Sequence, residues 1–376
     1  HMTSDRDLTS ETDTSRRSVL RAGTLAGAAF VAGAALGPLG SRSAQAEDKA
    51  GDALDLTLAG YTYDRVKGLA DGRVSVDRCS VRFEPARIGE MNQHVFAKPQ
   101  TREVTEVGLM PFILAYANAD HRRYTLLPVF PLRTFRHKSF FIRTDRGITS
   151  PADLRGKSIA TPGFSSTSLT WIRGMLQHEY GVKPTDVMWV VAAKDSVVAD
   201  TGGASKFEQV VPSGLSVRTG PKGKDESQLL VDGDVDALFH AVEPKAFRQG
   251  HPKVARLFED SRKVEQDYYR KTGIFPIMHA VAVRRDVIDA NPWLPEAVFR
   301  AYSKSKQLAY DAIRNHAWYM TSLPWIAQEA EATRKLMGDN YWSYGIGPNR
   351  KTLDALFQYA HEQGLAKRRL TIEDLF

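Results

Sequence analysis

The stretch TGIFPIMHAVAVRRD, residues 272–286, predicts the fold of this chain together with the stretch FRHKSFFIRTD, residues 135–145. In each of them a histidine stands at the start of an apolar run, and the run stops at arginine and aspartate. Apolar alternation bounded by turn formers and charges is typical of a strand. We therefore predict that both strands cross one hinge between two lobes, with His137 and His279 at the rim of the interlobe cleft.

The segments around these two strands alternate between strand and helix patterns. LDLTLAG (54–60) alternates like a strand, whereas SSTSLTWIRGMLQHEYG predicts a helix that Ser165 or Ser166 caps and Gly181 ends. Residues 194–228 are polar, rich in Gly, Ser and Lys, and permit little assignment. Alternating strands and helices indicate an α/β protein whose lobes have mainly parallel sheets.

The N-terminal segment SRRSVLRAGTLAGAAFVAGAALGPLGSRSAQAED has the order of an export leader. The twin arginines Arg16 and Arg17 precede an Ala/Gly-rich apolar stretch and an A-x-A site that ends at Ala46. This order predicts a Tat-type signal, cleavage after Ala46 and a periplasmic location. Gly and Pro interrupt the apolar run, which favours a leader over a membrane span. His1 and Met2 have the look of a vector scar.

The amino-acid composition limits the classes of protein to which this chain can belong. The 376 residues carry a formal net charge of +7, with 42% hydrophobic and 25% charged residues, as in a globular protein large enough for two lobes. The positive charge either favours anionic ligands or belongs to a solvated surface, and no nucleic-acid motif accompanies it. The single cysteine, Cys79, excludes an intramolecular disulfide and a cysteine-based metal site.

The hinge hypothesis divides the chain in order of sequence. The expected parts are residues 1–46 as leader and vector scar, 47–143 as the first part of lobe 1, 144–242 as lobe 2, and 243–376 as the hinge return, the second part of lobe 1 and the C-terminal helices. In such a division the chain crosses between the lobes twice. Ligands of open α/β sheets bind at the carboxyl ends of the strands, so we expect the site in the cleft.

Several segments resemble the 4,5-dihydroxyphthalate decarboxylase family, within the NMT1/THI5-like group of type II periplasmic-binding-protein folds. The segments are YDR (63–65), FRH (135–137), SSTSLTWIRGMLQHEYGV (165–182), YYRKTGIFPIMH (268–279), NPW (291–293), YWSYGIGPNR (341–350) and HEQGL (361–365). The resemblance runs from about residue 54 to the C-terminus and is weak at 86–106 and 190–228. It implies a two-lobed fold and decarboxylation of a hydroxylated aromatic carboxylate.

Histidines at the expected cleft edges are the candidate catalytic residues. Removing CO2 from an aromatic diacid needs a positioned proton donor, and histidine suits neutral pH. The candidates are His137 and His279 at the two crossing strands and His240 at the end of DALFH, where a parallel strand delivers its residue to the crevice. Each of them is alternatively a hinge or core histidine.

The candidate substrate-binding residues are cationic, hydroxyl-bearing or acidic groups near the same edges. They are Tyr63, Asp64, Arg65, Arg136, Ser165, Ser166, Thr167, Glu243 and Tyr269. Arginine clamps carboxylates, and a helix that begins at Ser165–Thr167 offers free N–H groups to an anion, although the hydroxyls also serve as simple caps. No cofactor motif is present. A divalent metal stays open, with ligands drawn from His137, His240, His279, Asp64 and Glu243, although no ligand spacing supports it.

Two functions follow from these observations. The first is a decarboxylase for a substrate of the 4,5-dihydroxyphthalate type, with arginine clamps and a histidine proton donor. The second is an exported substrate-binding protein that hands a small carboxylate or aromatic anion to an ABC-type permease. The fold hosts both binding and catalysis, and it permits a homodimer.

Overall fold

The computed structural model describes residues 53–97, 99–195 and 205–376. The leader and vector scar expected at residues 1–46 lie outside these residues. Across the described ranges, no helix combines the length and the apolar character that crossing a bilayer requires.

Strands and helices alternate through most of the described chain. The strands are β1 (Leu54–Gly60), β2 (Cys79–Pro85), β3 (Val104–Gly108), β4 (Tyr124–Leu127), β5 (Phe140–Arg143), β6 (Ser158–Thr161), β7 (Met188–Val191), β8 (Val217–Thr219), β9 (Ala237–Phe239), β10 (Val254–Arg256) and β11 (His279–Arg284). The helices are α1 (Asp64–Ala70), α2 (Ile88–Phe96), α3 (Leu109–Ala119), α4 (Thr167–Tyr180), α5 (Glu226–Asp232), α6 (Lys245–Arg248), α7 (Ser261–Thr272), α8 (Arg285–Ala290), α9 (Leu294–Arg314), α10 (Ile326–Met337), α11 (Arg350–Glu362) and α12 (Ile372–Leu375).

The strands form two sheets, one in each lobe. The first has the order β2-β1-β3-β11-β4, and the second has the order β10-β5-β9-β6-β7-β8. Each sheet contains a parallel group, β2-β1-β3 in the first and β9-β6-β7-β8 in the second. The strands beside the crossings, β5, β10 and β11, run antiparallel to their neighbours. The parallel groups with helices between them produce the α/β character expected from the sequence.

The two crossing segments pair with each other between the sheets. Arg133 and Ile277 form an antiparallel bridge, and the Met278 amide donates to the carbonyl of Leu132 at 2.9 Å. Strand β5 then joins the second sheet, whereas β11 joins the first. The strand membership therefore differs from the expected division at both borders, because 140–143 and 254–256 had been expected in lobe 1. We propose that the lobes divide at the paired crossing near Arg133 and Ile277.

Helix α4 forms where the sequence predicts it. Ser166 is the N-cap and accepts from the Leu169 amide at 3.2 Å, and Gly181 ends the helix in the left-handed region with φ 68°. Its buried face packs on α11, where the Trp171 and Tyr359 rings meet edge to face. This packing holds the N-terminus of α4 at the cleft between the lobes.

Gly174→Ala is expected to destabilise the protein, because a Cβ there would lie 2.1 Å from Cδ2 of Tyr359. Alanine gains about 1 kcal/mol in helix propensity, but overpacking of this kind costs about 1–3 kcal/mol or more. We expect a lower midpoint in urea unfolding. Gly347→Ala is the matched control, because no atom lies within 4 Å of its added Cβ. An unchanged midpoint for Gly174→Ala would show that Tyr359 moves aside freely.

Candidate functional site

A cavity of about 650 Å³ lies between the two sheets, and we call it the interlobe cavity. Its walls come from the carboxyl ends of β1, β3, β6, β7 and β9, from the start of β11 and from the first turn of α4. Parallel strands of an open α/β sheet present their loops at this edge, which is where such folds bind ligands. The volume falls within the usual range for small-molecule sites.

The structure brings together half of the residues expected at the site. Those that line the cavity are Tyr63, Arg136, Ser166, Thr167, His240 and His279. Those that lie outside its lining are Asp64, Arg65, His137, Ser165, Glu243 and Tyr269. The polar groups that line the cavity are therefore on both lobes and on the crossing segment that carries Arg136.

His279 is paired with a buried carboxylate. It begins β11 opposite Gly108, and its Nδ1 lies 2.5 Å from Oε1 of Glu106, which is 1% exposed. The Tyr63 hydroxyl donates to the same oxygen at 2.9 Å, and the Tyr61 amide donates to Oε2 at 3.3 Å. A carboxylate on one ring nitrogen fixes the orientation of the imidazole and leaves the other nitrogen for chemistry. Nε2 of His279 has no partner among the described residues.

Tyr63 serves this pair as a hydrogen-bond donor. Burial, followed by the charge of Glu106, raises the pKa of Tyr63 far above its usual value. The phenol therefore stays protonated at neutral pH and keeps donating to the carboxylate. Glu106 thus receives donors from His279, Tyr63 and the backbone, as a buried charge requires.

Arg136 is a buried cation whose charge is poorly compensated. It is 8% exposed, its Nη1 donates to the carbonyl of Ala241 at 3.1 Å, and its Nε is buried with no partner among the residues described. Desolvation lowers its pKa to about 10, and the nearby charge of Glu265 opposes that shift. Since a pKa of 10 still leaves the group charged at neutral pH, this guanidinium is suited to binding an anion in the cavity.

The first turn of α4 supplies amides rather than hydroxyls to the cavity. The Ser166 hydroxyl caps the helix, and the Thr167 hydroxyl accepts from the Met110 amide at 2.9 Å. Ser165 is fully buried, and its hydroxyl accepts from the Val210 amide. The N–H groups of Thr167 and Ser168 have no partner within the described ranges. They lie at the positive end of the helix dipole, where an anion is stabilised.

His240 forms a hydrogen-bonded pair with Asp195. The Val242 amide donates to Nδ1 of His240 at 2.9 Å, so the ring proton lies on Nε2, which is 3.1 Å from Oδ1 of Asp195. The imidazole is therefore neutral and is held as a donor to the carboxylate. Both side chains line the cavity.

Glu226 completes a group of possible metal ligands with this pair. One ligand atom from each of Asp195, Glu226 and His240 lies within 4.8 Å of the others, a donor set that divalent metals accept. A metal on Nε2 would, however, need the proton on Nδ1, where it would face the Val242 N–H. The arrangement fits a hydrogen-bonded pair better than a metal site. The other ligands considered from the sequence do not join the group: His137, His279, Asp64 and Glu243.

His137 lies in the apolar interior and not at the cleft rim. It is 0% exposed, its ring packs 5.5 Å from Phe258 and 5.1 Å from Tyr268, and both ring nitrogens are buried without a partner in the part of the chain that the structure describes. Desolvation lowers its pKa to about 4, so it is neutral at pH 7. The expectation of a second rim histidine is not met, because the chain enters the second lobe before residue 137 and turns this ring inward.

His137→Phe is expected to reduce the acid sensitivity of the fold. The folded pKa of about 4 lies below the unfolded value of 6.5, so the free energy of unfolding falls as pH drops from 6.5 to 4. Protonation of His137 accounts for about 3 kcal/mol of this decrease in the free energy of unfolding. Urea titrations at pH 7 and pH 4.5 should show a smaller difference for the variant. His121, whose pKa is also lowered to about 4, contributes equally to both proteins. Equal differences would contradict this placement of His137.

The remaining predicted residues have structural partners away from the cavity. Asp64 is exposed and pairs with Arg65, whose guanidinium also lies 3.8 Å from the centre of the Trp342 ring. Glu243 pairs with Arg256. Tyr269 meets Phe135 edge to face, with 6.3 Å between the ring centres. These residues were expected at the cleft from their positions near the ends of strands and helices, but their side chains contact other neighbours.

The sequence interpretation missed polar residues that line or support the cavity. The buried Asn92 accepts from the Gly108 amide at 2.9 Å and donates to Glu208 at 2.8 Å, which connects α2 to the segment before β8. Glu106 had a detectable signal, since it is an acid inside the apolar strand VTEVG just before a helix. Asp195 and Glu208 lie within residues 194–228, where the sequence has no pattern that predicts secondary structure.

Comparisons with known proteins agree with this architecture. The NMT1/THI5 like family model matches residues 127–210. The chain is 36% identical over 323 residues to a 4,5-dihydroxyphthalate decarboxylase of Comamonas testosteroni, covering 86% of this chain and 96% of that protein. It is 35% identical to one of Pseudomonas putida, covering 58% of this chain and 82% of that protein.

A solved structure gives the fold. The periplasmic sulfonate-binding protein SsuA of Methylobacillus flagellatus KT matches with a TM-score of 0.50 and 16% identity, covering 86% of this chain and 91% of that one. The two-lobed periplasmic-binding-protein fold expected from the sequence is therefore confirmed. Because identity to the Comamonas protein exceeds one third over nearly the whole of that protein, the kinship is closer than a shared fold. The chain belongs to the 4,5-dihydroxyphthalate decarboxylase family.

Proposed function

We propose that this protein removes one carboxylate from a hydroxylated aromatic dicarboxylate of the 4,5-dihydroxyphthalate type, bound in the interlobe cavity. The observation that carries the proposal is one cavity that holds a buried arginine and a carboxylate-oriented histidine. The family membership supports the same substrate class.

Arg136 would clamp the carboxylate that the product retains. A planar guanidinium pairs with a carboxylate through two parallel hydrogen bonds. The guanidinium of Arg136 has N–H donors that make no bond to the described residues. The free amides of Thr167 and Ser168 offer a second anionic contact at the start of α4. The retained carboxylate would therefore have two sources of positive potential, Arg136 and the start of α4.

The departing carboxylate requires a different environment. Its charge disappears as CO2 forms, so an apolar wall favours the transition state over the bound substrate. The cavity offers such walls in the side chains of Leu132, Phe164, Val191 and Met278. This contrast between a clamped and a poorly solvated carboxylate is what a decarboxylase needs.

His279 would deliver the proton that replaces CO2. Glu106 fixes the ring through Nδ1, and Nε2 has no partner among the described residues. The ring carbon that carries the departing carboxylate takes a proton, the bond to CO2 breaks, and its electron pair returns to the ring. A donor fixed in this way accelerates proton transfer at carbon by general acid catalysis.

The test is to add 4,5-dihydroxyphthalate to the purified full chain, with and without EDTA, and to follow CO2 and 3,4-dihydroxybenzoate. In D2O the product should carry one deuterium where the carboxylate was lost. Turnover that survives EDTA would support the metal-free arrangement of His240. Saturable binding without CO2 release would reject the decarboxylase.

The second candidate is the exported substrate-binding protein of an ABC-type transporter. It is favoured by the match to the SsuA fold and by the leader pattern that ends at Ala46. It needs Arg136 and the α4 amides but makes no use of the His279–Glu106 pair. Binding that is unchanged in His279→Asn, together with no turnover in the parent protein, would select this candidate.

A further inference from the structure

The lining of the interlobe cavity includes groups of both charges. Arg136 and the first turn of α4 supply positive potential, as described above. Asp195 supplies a carboxylate to the lining, and Glu226, which is fully buried, brings a carboxylate oxygen within 4.8 Å of ligand atoms of Asp195 and His240. An aromatic ligand that carries both anionic groups and hydrogen-bond donors is chemically matched to such a lining.

Asp195 is a preorganised acceptor. Its Oδ1 receives the Nε2 proton of His240, and that ring is locked by the Val242 amide at Nδ1. An ionised carboxylate accepts several donors at once, so its bond from His240 is compatible with a further bond from a ligand. His240 thus acts as a positioning residue for Asp195.

We propose that Asp195 recognises a ring hydroxyl of the substrate and takes its proton while CO2 leaves. This inference rests on the proposed function and deepens it, because it makes a hydroxyl para to the departing carboxylate a requirement. In 4,5-dihydroxyphthalate each hydroxyl is para to one of the two carboxylate-bearing carbons. A ligand held through carboxylates on one edge therefore presents its hydroxyls on the other.

The chemistry gives that hydroxyl a direct role. When Asp195 removes the phenolic proton, the oxygen lone pair raises electron density at the para carbon, which carries the departing carboxylate. That carbon takes the proton from His279 and the oxygen becomes a ring carbonyl. The C–C bond then breaks, CO2 leaves, and the electron pair restores the aromatic ring and the phenolate. Asp195 returns its proton to the phenolate, and His279 regains one from solvent.

The experiment measures Kd for 4,5-dihydroxyphthalate and for phthalate, in the parent protein and in Asp195→Asn. The parent should bind the dihydroxy compound roughly 10-fold or more tighter, as expected for hydrogen bonds to a charged acceptor. Asp195→Asn should remove most of this preference by weakening only the dihydroxy compound. Asp289→Asn is the control, since Asp289 is exposed on α8 and outside the cavity lining.

A second arm uses the parent protein alone and does not depend on folding of a variant. 4,5-Dimethoxyphthalate keeps both carboxylates but has no hydroxyl proton, so it should bind no tighter than phthalate and release no CO2. Equal Kd values for phthalate and its dihydroxy derivative in the parent would overturn the inference. An equal loss of both ligands in Asp195→Asn would do the same.

The two proposals fail in different ways. If the parent shows the expected preference, Asp195→Asn removes it and the parent releases no CO2, the decarboxylase and the proton transfer are rejected and only hydroxyl recognition by Asp195 stands. If the parent releases CO2 from phthalate and dihydroxyphthalate at equal rates, the decarboxylase stands and the role of Asp195 is rejected.

Discussion

His279→Asn is expected to lower kcat for decarboxylation by roughly 10²–10⁴-fold, the usual contribution of a general acid. Asparagine places a donor close to the position of Nδ1 and so retains a partner for Glu106, but it has nothing at the position of Nε2. The ring carbon would then have to take its proton from water. Because the substrate is held mainly by Arg136 and α4, its Kd should change by only a few-fold. The expected result is a strongly reduced rate of CO2 release with near-normal substrate binding.

The matched control for this variant is His316→Asn. His316 is exposed in the segment after α9 and is not part of the cavity lining. Its replacement should leave both kcat and Kd unchanged. A second variant, Glu106→Gln, should lower kcat and alter its pH profile, because it removes the charge that orients the imidazole. Full activity in His279→Asn would show that another group supplies the proton.

Arg136→Met should raise the Kd for the dicarboxylate by roughly 100-fold or more. A charge-assisted bidentate contact in a buried site is worth several hydrogen bonds of ordinary strength. Methionine fills a similar volume without a charge. The loss of affinity therefore measures the missing contact with the carboxylate and not the effect of a new cavity. Calorimetric titration of the variant with phthalate and with benzoate separates the clamp from ring packing, since benzoate has one carboxylate fewer.

The stability of Arg136→Met distinguishes a ligand clamp from a structural arginine. The guanidinium has one bond to a carbonyl and a buried Nε without a partner among the described residues, so its charge is compensated only in part, by Glu265. Removing such a charge is often neutral or stabilising. We expect an unchanged or higher Tm, with Arg248→Met on the exposed face of α6 as control. A markedly lower Tm with normal ligand affinity would assign Arg136 to the fold instead.

Catalysis and transport make different demands on the same cavity. A binding protein needs high affinity and release on opening, and the buried arginine with the α4 amides would satisfy it. The His279–Glu106 pair is not needed to bind an anion, because Arg136 and the α4 amides supply the positive potential without it. Its presence beside the cavity is the structural reason to favour chemistry, and the His279 experiment tests it directly.

Individual helices and strands could be predicted where the hydrophobic period and the capping residues indicate the same element. The helix α4, its Ser166 cap and its end at Gly181 all follow from short-range chemistry, because the relevant groups lie within a few residues of each other. The two crossing strands also appeared as matching patterns. Their symmetry was misleading, since β5 pairs with β9 and β11 pairs with β3, and such pairings depend on residues far apart in sequence.

The sequence by itself determined the α/β class, the two lobes, the family and the edge of the sheets at which polar residues collect. These features follow from hydrophobic periodicity and from sequence motifs, both of which depend on interactions between residues that are close together in the sequence. Only the tertiary structure decided which polar groups meet there. It turned His137 into the core, joined His279 to Glu106 across 173 positions and brought Asp195 to His240. The reason is that side-chain direction depends on long-range strand pairing, which no local pattern encodes.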